Sequence, residues 1–112
     1  MLGFGMATPD DVLGFWLDET GPEAWYTGGE ALDADIRARF ETTWDRACEG
    51  ALSLWLTYPS GTLAYIILTD QFPRNMFRDH EKAFSSDLLA LAAAKMAIGK
   101  DWDLKIDEPA RQ

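Results

Sequence analysis

The densest chemistry in this sequence lies between residues 70 and 80, where Asp70, Gln71, Arg74, Asn75, Arg78, Asp79 and His80 follow one another closely. Arg74 and Arg78 stand four apart, so on a helix they share a face and form a two-pronged cationic surface. Such a pair grips a carboxylate or a phosphate, with Gln71 and Asn75 donating further bonds and Asp70 orienting an arginine or acting as a base. The same residues have a structural reading. Asp70 and Gln71 satisfy backbone groups at a helix end, and Arg74 pairs with Asp70 or Asp87 to lock a corner. Lys82 extends the basic patch, which has room for one anion and is too short to follow a polymer. His80 is the sole histidine. Its neighbours Asp79 and Glu81 point elsewhere on a helix, so a three-ligand metal site is badly spaced, and an exposed histidine near a helix start is the simpler reading. No metal or other cofactor is implied. The sequence has no Gly-rich phosphate loop, no Cys–His pairing and no Glu-x-x-His. Ser85-Ser86-Asp87 is no nucleophile motif; its serines serve as caps. The residues assign no reaction.

The element that must position this cluster is the most apolar run of the chain. Leu63 to Thr69 is apolar on every side and reads as a helix buried all round or as a buried strand. Ser60-Gly61-Thr62 reads as loop and cap, with Thr62 as N-cap. Pro73 lacks a backbone donor and disfavours helical geometry at Phe72, so the helix is expected to end near Gln71 and the chain to turn tightly through Pro73-Arg74-Asn75.

Upstream, Thr8-Pro9-Asp10-Asp11 is a helix opening, with Thr8 as N-cap, Pro9 at the first position and Asp11 as capping-box partner. Val12, Leu13, Phe15, Trp16 and Leu17 give that helix a broad apolar face. Residues 20–31 read as a loop in which Trp25 and Tyr26 either line a pocket or anchor the loop. Leu32 to Glu49 is the clearest amphipathic helix: Leu32, Ile36, Phe40, Trp44 and Cys48 recur every four residues, Arg37 and Glu41 can pair, and Gly50 closes it. Cys48 is read as a core residue. Glu81 to Gly99 is expected to form one helix with Phe84, Leu88, Leu91, Ala92 and Met96 facing inward and alanines suited to close packing. Residues 101–112 are expected to be mostly coil.

Composition bounds the rest. At 112 residues the chain makes one domain, and with 47% hydrophobic residues it is not disordered. Net charge is −9, with 3 basic and 11 acidic groups in residues 1–60 against 7 and 8 in residues 61–112. An acidic chain without a basic stripe repels a phosphate backbone, so nucleic acid is excluded as a partner. One cysteine excludes an internal disulfide. No run approaches a membrane span or a signal peptide, so the expectation is a cytoplasmic, bacterial-type protein without a membrane role. Five Trp, six Phe and three Tyr are many for a small domain to hide and argue for an exposed aromatic patch or an oligomer.

Several motifs carry a family resemblance: Val12-Leu13-Gly14-Phe15-Trp16, Trp25-Tyr26, the run from Gly61 to Arg78 with Asp70-Gln71-Phe72-Pro73-Arg74-Asn75 at its centre, and Ala83-Phe84-Ser85-Ser86-Asp87. Together these resemble the bacterial domain family of unknown function DUF924, across almost the whole chain. The resemblance implies an all-α, TPR-like antiparallel bundle of about four to five helices, here a single domain over residues 1–112, and implies no activity. Family members are longer, with an aromatic-rich second half that this sequence lacks. That raises the expectation of a homodimer in which a second copy covers exposed apolar surface. Two functions stay open: a protein- or peptide-binding and assembly module, and a small-molecule anion-binding protein or enzyme with its site on Asp70, Gln71, Arg74, Asn75 and Arg78, with Trp16, Trp25 and Tyr26 as candidate pocket aromatics.

Overall fold

The structure is a computed structural model that describes residues 7–20, 29–78 and 80–100. Trp25, Tyr26, Asp79 and the 101–112 segment lie outside the described residues. The described chain is an all-helical bundle: α1 (Pro9–Leu13), α2 (Glu30–Cys48), α3 (Pro59–Ile66), α4 (Phe72–Met76) and α5 (Asp87–Gly99). Short 3-10 turns occupy Ser53–Thr57 and Glu81–Phe84, and wider π-type turns occupy Gly14–Thr20 and Ile67–Gln71.

α1 opens as its sequence dictates. The Thr8 hydroxyl accepts from the Asp11 N–H, and the Asp11 carboxylate accepts from the Thr8 N–H, a reciprocal capping box that leaves neither donor orphaned. α2 is the expected long helix and gives way to Gly50 at φ +82°, a left-handed position that glycine adopts without strain. Its buried face is Ile36, Phe40, Thr43, Trp44 and Ala47; Cys48 is exposed, not core. A strict four-residue step advances by about 40° beyond a full turn each time. Over the steps from Leu32 this rotates Cys48 off the face and brings Ala47 onto it.

The central helix differs most from expectation. It begins at Pro59, not at Thr62, with Tyr58 as N-cap. Gly61 is buried, and a Cβ there would lie 2.4 Å from the Trp55 carbonyl oxygen and 2.7 Å from the Tyr58 ring, so the backbones meet only because the side chain is missing. At the other end the chain does not turn at Pro73. It runs in helical geometry through residues 59–76, with α3 and α4 joined by the Ile67–Gln71 π turn. The proline is accommodated because the helix widens ahead of it. Phe72 N–H donates five residues back to Ile67, and the carbonyl that Pro73 cannot serve, that of Thr69, is met from outside the helix.

Around this path the core closes. Phe72 is fully buried and its ring centroid lies 4.7 Å from Phe40, 5.6 Å from Trp16 and 6.1 Å from Phe15. α2 packs on α4, and α1 and α5 both pack on α3. The expected single helix over residues 81–99 is broken at Ser85–Ser86, and its faces are reversed. α5 buries Ala90, Ala93 and Ala97, while Phe84, Leu88, Leu91 and Ala92 are exposed and Met96 is only half-buried. α5 is apolar nearly all round, so periodicity did not choose between its sides. The small side carries it close to α3 and leaves the large residues outside.

Candidate functional site

The polar cluster after the central helix is brought together, though its two arginines are carried to different elements. Asp70, Gln71 and Arg74 gather where the π turn meets α4. Arg74 Nη1 donates to the Asp70 carboxylate at 3.0 Å and to the Asp70 carbonyl oxygen at 2.5 Å. That carbonyl belongs to the widened turn, and the guanidinium supplies a donor to it. Arg74 also makes a two-pronged contact with Asp87 at the start of α5, both bonds at 3.3 Å, and its guanidinium lies 5.1 Å from the Phe84 ring centroid. Gln71 Nε2 donates to the other Asp70 oxygen at 2.8 Å.

Arg78 reaches the opposite way. Its Nε and Nη2 donate to the two carboxylate oxygens of Asp33 on α2, at 2.7 and 2.9 Å, and Asn75 Nδ2 donates to the same carboxylate at 2.9 Å. These bonds hold the Asp33 carboxyl below its ordinary range, the Arg78 hydrogen bond contributing most and outweighing the opposing cost of partial burial. His80 is exposed and caps the Glu81–Phe84 turn, its Nδ1 accepting from the Lys82 N–H at 3.0 Å. Trp16 is a core residue against Phe72. Between the cluster and the Glu81–Phe84 turn lies a cleft of about 530 Å³ lined by Arg74, His80, Glu81, Ala83 and Phe84. Among the described residues, no three His, Cys, Asp or Glu side chains converge as metal ligands, and no helix is long and apolar enough to cross a membrane.

The family described as "Bacterial protein of unknown function (DUF924)" matches residues 12–112. This chain is a DUF924 protein. Its fold is similar to the solved structure of a protein of unknown function, ATU0120, from Agrobacterium tumefaciens, with TM-score 0.86 and 33% identity over 92% of this chain. The match covers 58% of that protein, so this chain spans less than two thirds of its length. No curated protein matches the chain.

Within this DUF924 fold, two residues that hold this region together, Asp33 and Ser86, were missed or underweighted in the sequence. Asp33 lies some forty positions before its partners, and nothing in local spacing pairs it with Arg78. Ser86, read only as a cap, is fully buried. Its hydroxyl accepts from Trp44 Nε1 at 2.9 Å and donates to the Thr69 carbonyl at 2.6 Å. Thr69 is four residues before Pro73, so its carbonyl is the one a proline in an α-helix leaves without a donor. Pro73 therefore signals that a donor is required; its identity comes only from tertiary packing.

Proposed function

We propose that this protein is a TPR-like helical module that works by docking another helix, and that its principal occupant is a second copy of the chain. One observation carries this reading. Phe84, Leu88, Leu91 and Ile98 are 58%, 79%, 50% and 62% exposed, and the three on α5 fall along one side of that helix with Ala92 between them. Covering large apolar side chains stabilises a complex by about 1.5–3 kcal/mol for each one fully buried. Lys95 is the one charge within the stripe. An antiparallel pairing of two α5 helices sets the acidic start of one, at Asp87, beside Lys95 and Lys100 at the end of the other, and opposes their dipoles favourably. The polar cluster fits this role as the lock that fixes where α5 leaves the central helix: Arg74 ties Asp70 to Asp87, while Asn75 and Arg78 tie α4 to α2 through Asp33.

Sedimentation equilibrium on the full chain tests the reading. A dimer is expected, strengthened by added salt because two copies of net charge −9 repel each other, and converted to monomer by Leu88→Lys with Leu91→Lys while helicity is kept. A wild-type chain that stays monomeric at high concentration and high salt would refute self-association through α5.

A further inference from the structure

A second cleft, of about 480 Å³, is lined by Arg37, Met76, Phe77, Arg78, His80 and Lys82. Four of these six residues carry basic side chains, in a chain whose net charge is −9. Two of the cations converge on one ring. Lys82 Nζ lies 4.6 Å from the Phe77 centroid and Arg37 Cζ lies 5.5 Å from it; Lys82 also lies 5.4 Å from the Trp44 ring. The ring faces hold the charges in place and do not neutralise them.

The compensation is uneven. Arg78 is matched by Asp33 through two bonds. Arg37 uses only its Nε on Glu41, at 3.3 Å, in an exposed pair of the kind that contributes little. Lys82 has no carboxylate partner among the described residues. Among the described residues the balance in the cleft is positive, and like charges gathered this closely favour the arrival of an anion. His80 adds a directional donor: its Nδ1 accepts from the Lys82 N–H, which in the neutral ring places the proton on Nε2.

We infer that this cleft binds a phosphomonoester. The donors left by the internal pairs (the Arg37 Nη groups, the Lys82 ammonium and the His80 Nε2–H) belong to three separate side chains. A tetrahedral oxyanion with several acceptor oxygens can meet all three, whereas a planar carboxylate is satisfied by one guanidinium fork. Met76 and Phe77 provide an apolar wall for the ester group, and the volume is that of a small-molecule site. The inference rests on α2, α4 and the Glu81–Phe84 turn, and is independent of self-association through α5.

Titration calorimetry with phenyl phosphate and with inorganic phosphate tests it. Wild type is expected to bind both saturably, phenyl phosphate more tightly. Lys82→Gln and Arg37→Gln should each weaken binding about tenfold, as expected for loss of one charged hydrogen-bonding partner. Arg46→Gln, which removes an exposed cation that lines neither the cleft nor α5, should leave binding unchanged, and Lys82→Arg should retain it. In the wild type, amide chemical shifts should move at His80 and Lys82 ahead of other positions, a readout that does not depend on any variant folding. Absence of saturable binding, equal weakening in Arg46→Gln, or shift changes centred away from the cleft would each overturn the proposal.

Discussion

The helical path over residues 59–76 and the outer side of α5 are both strongly apolar, and they handle that apolarity in opposite ways. The central path is wrapped. Leu68, Thr69 and Phe72 are fully buried, and its awkward carbonyls at Thr69 and Asp70 receive donors from Ser86 and Arg74. α5 is covered on its small side only, where Ala90, Ala93 and Ala97 meet the rest of the fold, and it shows Leu88, Leu91 and Ile98 outward. The difference separates residues that make the fold from residues available to a partner. A polar group whose partners are internal, like Arg74 or Asp33, holds elements together. A large apolar side chain left outside, or a lysine held only by rings, is where the molecule has interaction capacity to spare.

Truncation is the strongest way to break this contrast. Phe72→Ala removes a ring in contact with Phe15, Trp16 and Phe40, and should cost about 3–5 kcal/mol in urea denaturation. Leu88→Ala, although it removes an equally apolar group, should change the stability of the monomer by no more than about 0.5 kcal/mol. Comparable losses in the two variants would mean that Leu88 is a core residue and the division is false.

Next in size is the buried relay. Ser86→Ala strips the Trp44 indole N–H of its acceptor and the Thr69 carbonyl of its donor in one step. Leaving a buried polar group unpaired costs about 1–3 kcal/mol, so a loss at or above that range is expected, with a shift in tryptophan emission. A neutral Ser86→Ala would show that Thr69 finds another donor and that the widened turn before Pro73 does not depend on α5.

The sequence made the all-helical class, the α1 capping box and the length of α2 legible, because each rests on local pattern: a Thr-Pro-Asp-Asp start, a four-residue apolar step, a closing glycine. It also brought Arg74 together with Asp70 and Asp87. It misplaced the two ends of the central helix for a common reason. Local rules treat Pro73 and Ser60-Gly61 as breaks, and both are rescued by distant partners: Ser86 reaching Thr69, and the Trp55 backbone closing on a bare Gly61. The faces of α5 were inverted because an apolar-all-round helix carries no phase information, and the choice fell to how closely alanine lets two backbones approach. The Asp33 contacts to Asn75 and Arg78 were invisible because nothing in the sequence reports a pairing across forty-odd residues.

That last pairing also gives the finest test of the wrapped region. The Asp33 carboxyl lies below its ordinary value of 3.8 because the folded state holds its charged form, through Arg78 first and Asn75 next. A depressed folded pKa means that stability from Asp33 is present in full above the unfolded value and is lost as pH falls through the folded one. Asp33→Asn keeps the shape, removes the charge, and leaves Arg78 without its carboxylate. At neutral pH it should be less stable than wild type by about 0.5–1.5 kcal/mol, modest because Arg78 is half exposed. The gap should hold constant down to the ordinary carboxylate range and close only below it, when the wild-type carboxyl also loses its charge. A gap that closed well above that range would mean that Asp33 is not held ionised by the fold, and that α2 and α4 are joined here by packing alone.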